Sequence, residues 1–361
     1  MYIYISEFLL YLCFTITIGS TFMNFIPNNL KPTIQLSHHI VYVAAFGIPL
    51  FSFFSLLYNV VIISRFQEMG IWQLMPDVLR DLEFGKAWFR ILIMSGIMLI
   101  LMSFRDPQQD KRVNGVVGLI LVGIIFYHGW ASHPAGLSDT WGFGAQSIHV
   151  LAISIWAGIL LIVGWFAKDQ MNWTSFLKWF TPLSIGCIIV LTVGGIVMMY
   201  YIVPDLLNSW AVTYGQALLM KHLLYIPIIL FGFGNGFLLK AAIGNNRSIN
   251  VRKWIRIESI FIVAVFAITG FLNIQTPPHP PEEGNAAIPT SLIFNWFHGD
   301  KPYPQFVQWQ WSVTGLVCAT LFLFMTWNMI RTMRLQRYGI AVYSGVGIVV
   351  FGYLFLMLSV T

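Results

Sequence analysis

Long apolar runs, about ten of them, restrict the folds open to this chain more than any other feature. Each is close to the roughly 20 residues that a helix needs to cross a hydrocarbon core about 30 Å thick. The runs are continuous rather than alternating, so they predict helices and not barrel strands. Helices also pair their own backbone groups, as lipid requires. We therefore predict an all-α, polytopic membrane protein of about ten transmembrane helices.

The charge content supports the same class of protein. Only 9% of the residues are charged and 57% are hydrophobic, whereas a soluble domain carries about 25% charged residues. A soluble enzyme and a nucleic-acid-binding protein are therefore not expected, and the net charge of +6 is assigned to membrane topology. The predicted spans are 7–25, 40–64, 87–104, 113–131, 149–167, 179–203, 216–239, 254–274, 309–330 and 339–359.

Basic residues in alternate loops predict the orientation. Four of these loops are rich in Lys and Arg and are predicted to be cytoplasmic, which leaves both termini outside. Their basic residues are Arg105, Lys111, Arg112, Lys168, Lys178, Lys240, Arg247, Arg252, Lys253, Arg331, Arg334 and Arg337. The loop 65–86 also carries basic residues, yet this topology places it outside. Its apolar positions from Trp72 to Leu82 predict an amphipathic helix at the membrane interface.

Two similar segments suggest an internal repeat. Phe84–Arg90 and Tyr214–Lys221 both begin with an aromatic residue, a glycine, one more residue and an alanine, and both reach a cation soon afterwards. They open spans that are four helices apart and so share an orientation. We predict two parallel four-helix repeats, 1–140 and 141–278, followed by an outer loop and two C-terminal helices in 279–361.

Histidine and methionine side chains gather near the predicted outer ends of the spans. His128 ends span four, His133 follows it, and His149 opens span five, so these three imidazoles are expected to converge. His222 lies two turns into span seven, and Met198 and Met199 lie near the outer end of span six. Imidazole and thioether ligands suit copper, and we predict a metal site from these six residues.

Two other interpretations of the same residues stay open. Histidine at a membrane interface often only anchors a helix end, and methionine is common in lipid. A pair of histidines on neighbouring helices also suits b-type haem, with His128 or His149 and His222 as ligands. Nucleotide-binding P-loops, covalent-haem motifs and HExxH motifs are absent from the sequence, so no catalytic residues are assigned.

Several of these segments, taken in order, resemble the CopD copper-resistance membrane domain. His149, Trp156 and Gly158 reproduce the family's opening pattern of a histidine, six residues, a tryptophan, one residue and a glycine. The resemblance continues through Phe176, Phe180, Tyr214–Lys221, Asn235, Arg256, Glu258 and Asn273. Phe84–Arg90 and His128 resemble segments in the family's N-terminal half. The similarity covers residues 1–278 and is strongest from 145 to 278.

The resemblance implies a multi-pass protein of the bacterial plasma membrane that handles copper ions, usually by uptake toward the cytoplasm. No soluble copper-binding domain is visible in the sequence, so a separate extracytoplasmic copper-donor protein is expected as a partner. Two alternatives remain: a haem-binding membrane redox protein, and an assembly factor that delivers copper to an oxidase.

Overall fold

The prediction of an all-α membrane protein is confirmed by a computed structural model. It describes residues 2–138, 140–169, 171–238, 250–278, 289–299 and 307–361. Within those ranges, ten helices are long and apolar enough to cross a membrane, and the extended backbone pairs only in isolated bridges. Lys240 and Arg247, which we assigned to a cytoplasmic loop, lie outside the described residues, as does most of the predicted outer loop.

The helices fall into two compact units, Met1–Tyr201 and Ile202–Thr361. The predicted boundaries at 140 and 278 came from a sequence repeat rather than from packing, and they do not coincide with this division. The repeat stays a prediction. The first unit contains α1 (Tyr2–Phe25), α2 (His38–Gln67), α3 (Ile71–Asp81), α4 (Glu83–Phe104), α5 (Lys111–Trp130), α6 (His133–Leu137), α7 (Trp141–Phe166) and α8 (Trp173–Ile202). The second contains α9 (Leu206–Ser209), α10 (Thr213–Phe233), a π-helical turn (Gly234–Leu238), α11 (Val251–Leu272), α12 (Leu292–His298), α13 (Val313–Arg334) and α14 (Tyr338–Met357).

Helix α1 is the centre of the first unit. It packs against α2, α5 and α7, and the α1–α7 crossing is a backbone contact between Gly19 and Gly158. A Cβ built on Gly19 would lie 2.6 Å from the Gly158 Cα atom. Small residues allow membrane helices to approach this closely. Gly115 of α5, by contrast, faces open space.

The predicted amphipathic segment is a helix, α3. Its buried residues Leu74, Met75 and Val78 form one hydrophobic cluster with Leu56 and Val60 of α2. Trp72 on the same helix is 77% exposed. One face of α3 therefore packs on the bundle, while the other is available to lipid headgroups and water, as expected for an interfacial helix.

The loop before α5 is anchored by Asp110. Its Oδ1 atom accepts hydrogen bonds from the backbone N–H groups of Arg112 and Val113, and its Oδ2 atom lies 3.1 Å from Nη1 of Arg105. These bonds hold the pKa of the Asp110 carboxyl below its usual value. An ionised side chain at the N-terminus of a helix also interacts favourably with the helix dipole. This N-terminal cap thus sets the start of α5 at Lys111, close to the predicted start of span four.

Helix α10 packs against α11 and α14 in the second unit. Gly345 of α14 faces the Phe261 ring of α11, and a Cβ at Gly345 would lie 2.8 Å from its Cζ atom. At its C-terminal end, α10 continues into the π-helical turn Gly234–Leu238. Such turns alter the backbone hydrogen bonding locally and recur at functional sites.

Candidate metal site

His128 lies where the sequence predicts, in the last turn of α5. Its half-buried imidazole packs against α1, with ring centroids 5.4 Å from Phe14 and 6.2 Å from Tyr11. The Tyr11 ring meets it edge-on. The imidazole is thus directed toward the middle of the first unit rather than toward lipid.

Glu7 is a functional candidate that the sequence analysis missed. Its carboxylate is buried in α1, accepts a hydrogen bond from the Ser55 hydroxyl of α2, and interacts electrostatically with His128. The available signal was an acidic residue inside an apolar run, since ionisable groups within a span are costly and mark functional sites.

His149 lies inside a helix rather than at its start. Span five was predicted to begin at this residue, but α7 begins at Trp141, about 12 Å earlier along the helix axis. The His149 side chain faces α8. Its Nδ1 atom lies 3.2 Å from the Leu191 carbonyl oxygen, and a Cβ on Gly194 would lie 3.6 Å from the same nitrogen.

Met198 follows Gly194 by one helical turn on α8 and therefore shares its face. Helical side chains lean toward the N-terminus, so a residue covers the surface one turn before its own Cα atom. We therefore expect the half-buried Met198 thioether to lie near the surface of α8 that His149 contacts. Met199 is the next residue and is also half-buried.

His133 and His222 are placed differently. His133 begins the short helix α6, and only its backbone is described. His222 belongs to α10 in the second unit, where its side chain is exposed. Its Nδ1 atom lies 2.8 Å from the Leu218 carbonyl oxygen, one turn earlier on the same helix.

The three predicted imidazoles near spans four and five are not all directed to one point. Ser147 of α7 contacts Gly129 of α5, so the helices of His128 and His149 are neighbours. However, His128 faces α1 while His149 faces α8. Within the described ranges, no group of three or more His, Cys, Asp and Glu side chains could hold a metal ion. The predicted site of six residues also contains the methionines Met198 and Met199, and it stays a prediction.

A second buried carboxyl group lies in the second unit. Glu258 of α11 is 1% exposed, and its Oε2 atom accepts a 2.5 Å hydrogen bond from the Asn235 side-chain amide in the π-helical turn. Gly232 leaves room for this contact, since a Cβ there would lie 3.3 Å from Oε1. The partner of Glu258 is thus a neutral side chain on another element.

We expect Glu258→Ala to lower the free energy of unfolding by about 1–3 kcal/mol, because the buried Asn235 amide would lose its acceptor. Glu258→Gln keeps an acceptor oxygen and should remain close to wild type. Thermal unfolding in detergent, followed by circular dichroism, measures both. Glu83→Ala, which removes an exposed carboxylate, is the control. Equal midpoints for Glu258→Ala and Glu83→Ala would show that the buried bond is not stabilising.

Ten helices in the described ranges that are long and apolar enough to cross a membrane, with ionisable groups buried among them, define a multi-pass membrane protein. Residues 174–272, from α8 to α11, match the family model for Copper resistance protein D. Copper transport protein CutJ of Bacillus subtilis (strain 168) is 22% identical over 246 residues. The chain is thus similar to CopD copper-resistance proteins, and it is a multi-pass protein of the bacterial plasma membrane.

The match to CutJ covers 63% of this chain and 45% of CutJ, so the chain spans less than half of that relative's length. No solved structure matches the chain. The family segment includes Met198, Met199 and His222, whereas His128, His133 and His149 precede it.

Proposed function

We propose that this protein binds copper ions and transports them across the bacterial plasma membrane, toward the cytoplasm, without catalysing a reaction. The observation that carries the proposal is the buried Glu7 carboxylate, which interacts electrostatically with the half-buried His128 imidazole in a lipid-embedded chain related to a copper-resistance family. The proposed ligands are those predicted from the sequence: His128, His133, His149, His222, Met198 and Met199. A separate extracytoplasmic protein would donate the copper.

Two of these residues have the strongest structural support. His128 has a buried carboxylate beside it, and a negative charge in a low-dielectric interior offsets part of the cost of bringing a cation out of water. His149 faces α8 at Gly194, one helical turn before Met198, and an imidazole with a thioether would suit a copper ion. Few ligands at each position also suit a transporter, because a transported ion must be released again.

Copper accumulation in proteoliposomes tests the proposal. Vesicles that contain the purified protein are expected to accumulate copper well above protein-free vesicles, in a saturable manner. Sorting the vesicles by protein orientation, with a protease site in one basic loop as the marker, would establish the direction. Binding without accumulation would instead favour a copper-delivery factor, and the absence of both would contradict the proposed function.

A further inference from the structure

A small cavity lies at the end of the first unit that is opposite to His128. It is enclosed by the C-terminal parts of α1 and α4, the first turn of α2, the loop after α4 and the N-terminal half of α5. His128, by contrast, lies in the last turn of α5. The basic loops predict that the cavity end is cytoplasmic. Its lining includes His38, Met98 and Met102, together with the side chains of Thr17 and Ser20.

Met98 and Met102 place two thioethers on the same wall of this cavity. They are one helical turn apart on α4 and therefore share a face of that helix. Both are almost fully buried, with exposures of 0% and 2%. Buried thioethers of this kind are soft ligands, which favour Cu(I) over hard cations such as Na⁺ or Mg²⁺.

His38 adds an imidazole that lies beside a carboxylate. Its Nδ1 atom lies 3.1 Å from the Oδ1 atom of Asp106, in the loop after α4. A carboxylate on one ring nitrogen fixes the ring orientation and makes the other nitrogen a better metal ligand. Asp106 therefore leaves Nε2 of His38 as the atom that can bind an ion, and His38 lines the same cavity as the two methionines.

We propose that His38, Met98 and Met102 form a Cu(I) site at the cytoplasmic end of the first unit, with Asp106 positioning His38. The inference rests on the proposed copper transport and identifies where the ion would leave the membrane. Thr17 and Ser20 line the same cavity. Partial exposure of His38 provides the route to the cytoplasm.

Cu(I) binding to the purified protein, measured by competition with a colorimetric Cu(I) chelator under reducing conditions, tests this site. Met98→Leu with Met102→Leu conserves side-chain volume, so the fold should be retained, and we expect fewer Cu(I) ions bound per chain. His38→Ala should remove the same ion. The matched control is Met94→Leu, because Met94 lies on α4 but contacts Gly123 rather than the cavity. It should bind like wild type.

A positioning role for Asp106 predicts a graded effect. Asp106→Asn should weaken binding of this ion by about 10- to 100-fold and leave the number of sites unchanged. X-ray absorption of the loaded protein should show sulfur ligands that disappear in the double methionine variant. Unchanged Cu(I) binding in that variant, with transport intact, would overturn this site alone. A wild-type protein that binds no copper would overturn the proposed function as well.

Discussion

Gly158→Ala is expected to lower the stability of the protein strongly. A Cβ on Gly158 would lie 2.3 Å from the backbone carbonyl oxygen of Thr15 and 2.8 Å from the Gly19 Cα atom. Backbone atoms cannot rotate away as a side chain can, so α1 and α7 would have to separate. Overpacking of this kind typically costs about 1–3 kcal/mol and occasionally more. The loss of stability would be measured as a lower midpoint of thermal unfolding and as less monodisperse protein after purification.

Gly115→Ala is the matched control for this substitution. Gly115 lies within α5, and a Cβ there meets nothing within 4 Å. Alanine has the higher helix propensity by about 1 kcal/mol, so this variant should be as stable as wild type or slightly more stable. If Gly158→Ala unfolded at the same temperature as Gly115→Ala, the α1–α7 backbone contact would be refuted.

The combined substitution of His128→Ala and His149→Ala should reduce copper accumulation in proteoliposomes to the level of protein-free vesicles. Each change removes an imidazole from a different surface of the first unit, one beside Glu7 and one facing α8. An ion that passes both positions would lose a ligand at each. The single variants should show intermediate accumulation, because the two imidazoles do not face the same helix.

Two controls separate loss of ligands from loss of fold. His39→Ala removes an exposed imidazole at the predicted cytoplasmic end and should transport like wild type. Glu7→Gln retains an acceptor for the Ser55 hydroxyl but removes the charge beside His128, so it should fold normally and accumulate copper more slowly. Full transport by the double histidine variant would exclude both residues as ligands.

Hydropathy predicted most of the architecture, while the predicted helix ends were less accurate. All ten spans exist as helices, and the amphipathic pattern from Trp72 to Leu82 correctly predicted an interfacial helix. The start of α7 was placed too late because Gly142 and Gly144 are poor helix formers in isolation. Tertiary contacts outweigh that propensity, as the packing of Gly142 against the Pro134 carbonyl shows.

The candidate site was predicted in its residue types but not in its geometry. Sequence order correctly indicated that the helices of His128 and His149 are neighbours, since consecutive helices are usually adjacent. It could not indicate that one ring packs on Phe14 and the other faces Gly194. That choice depends on how each helix is rotated about its axis, which is set by contacts with helices distant in sequence.

By itself, the sequence determined that this chain is an α-helical membrane protein, because long apolar runs can satisfy their backbone groups in lipid only as helices. It also determined which side chains could bind a soft metal ion. Only the tertiary structure decided that Gly19 meets Gly158, that Glu7 lies with His128, and that His38 shares a cavity with Met98 and Met102. Hydropathy varies little around a helix that is apolar on all sides, so packing alone selects the face that each residue presents to its neighbours.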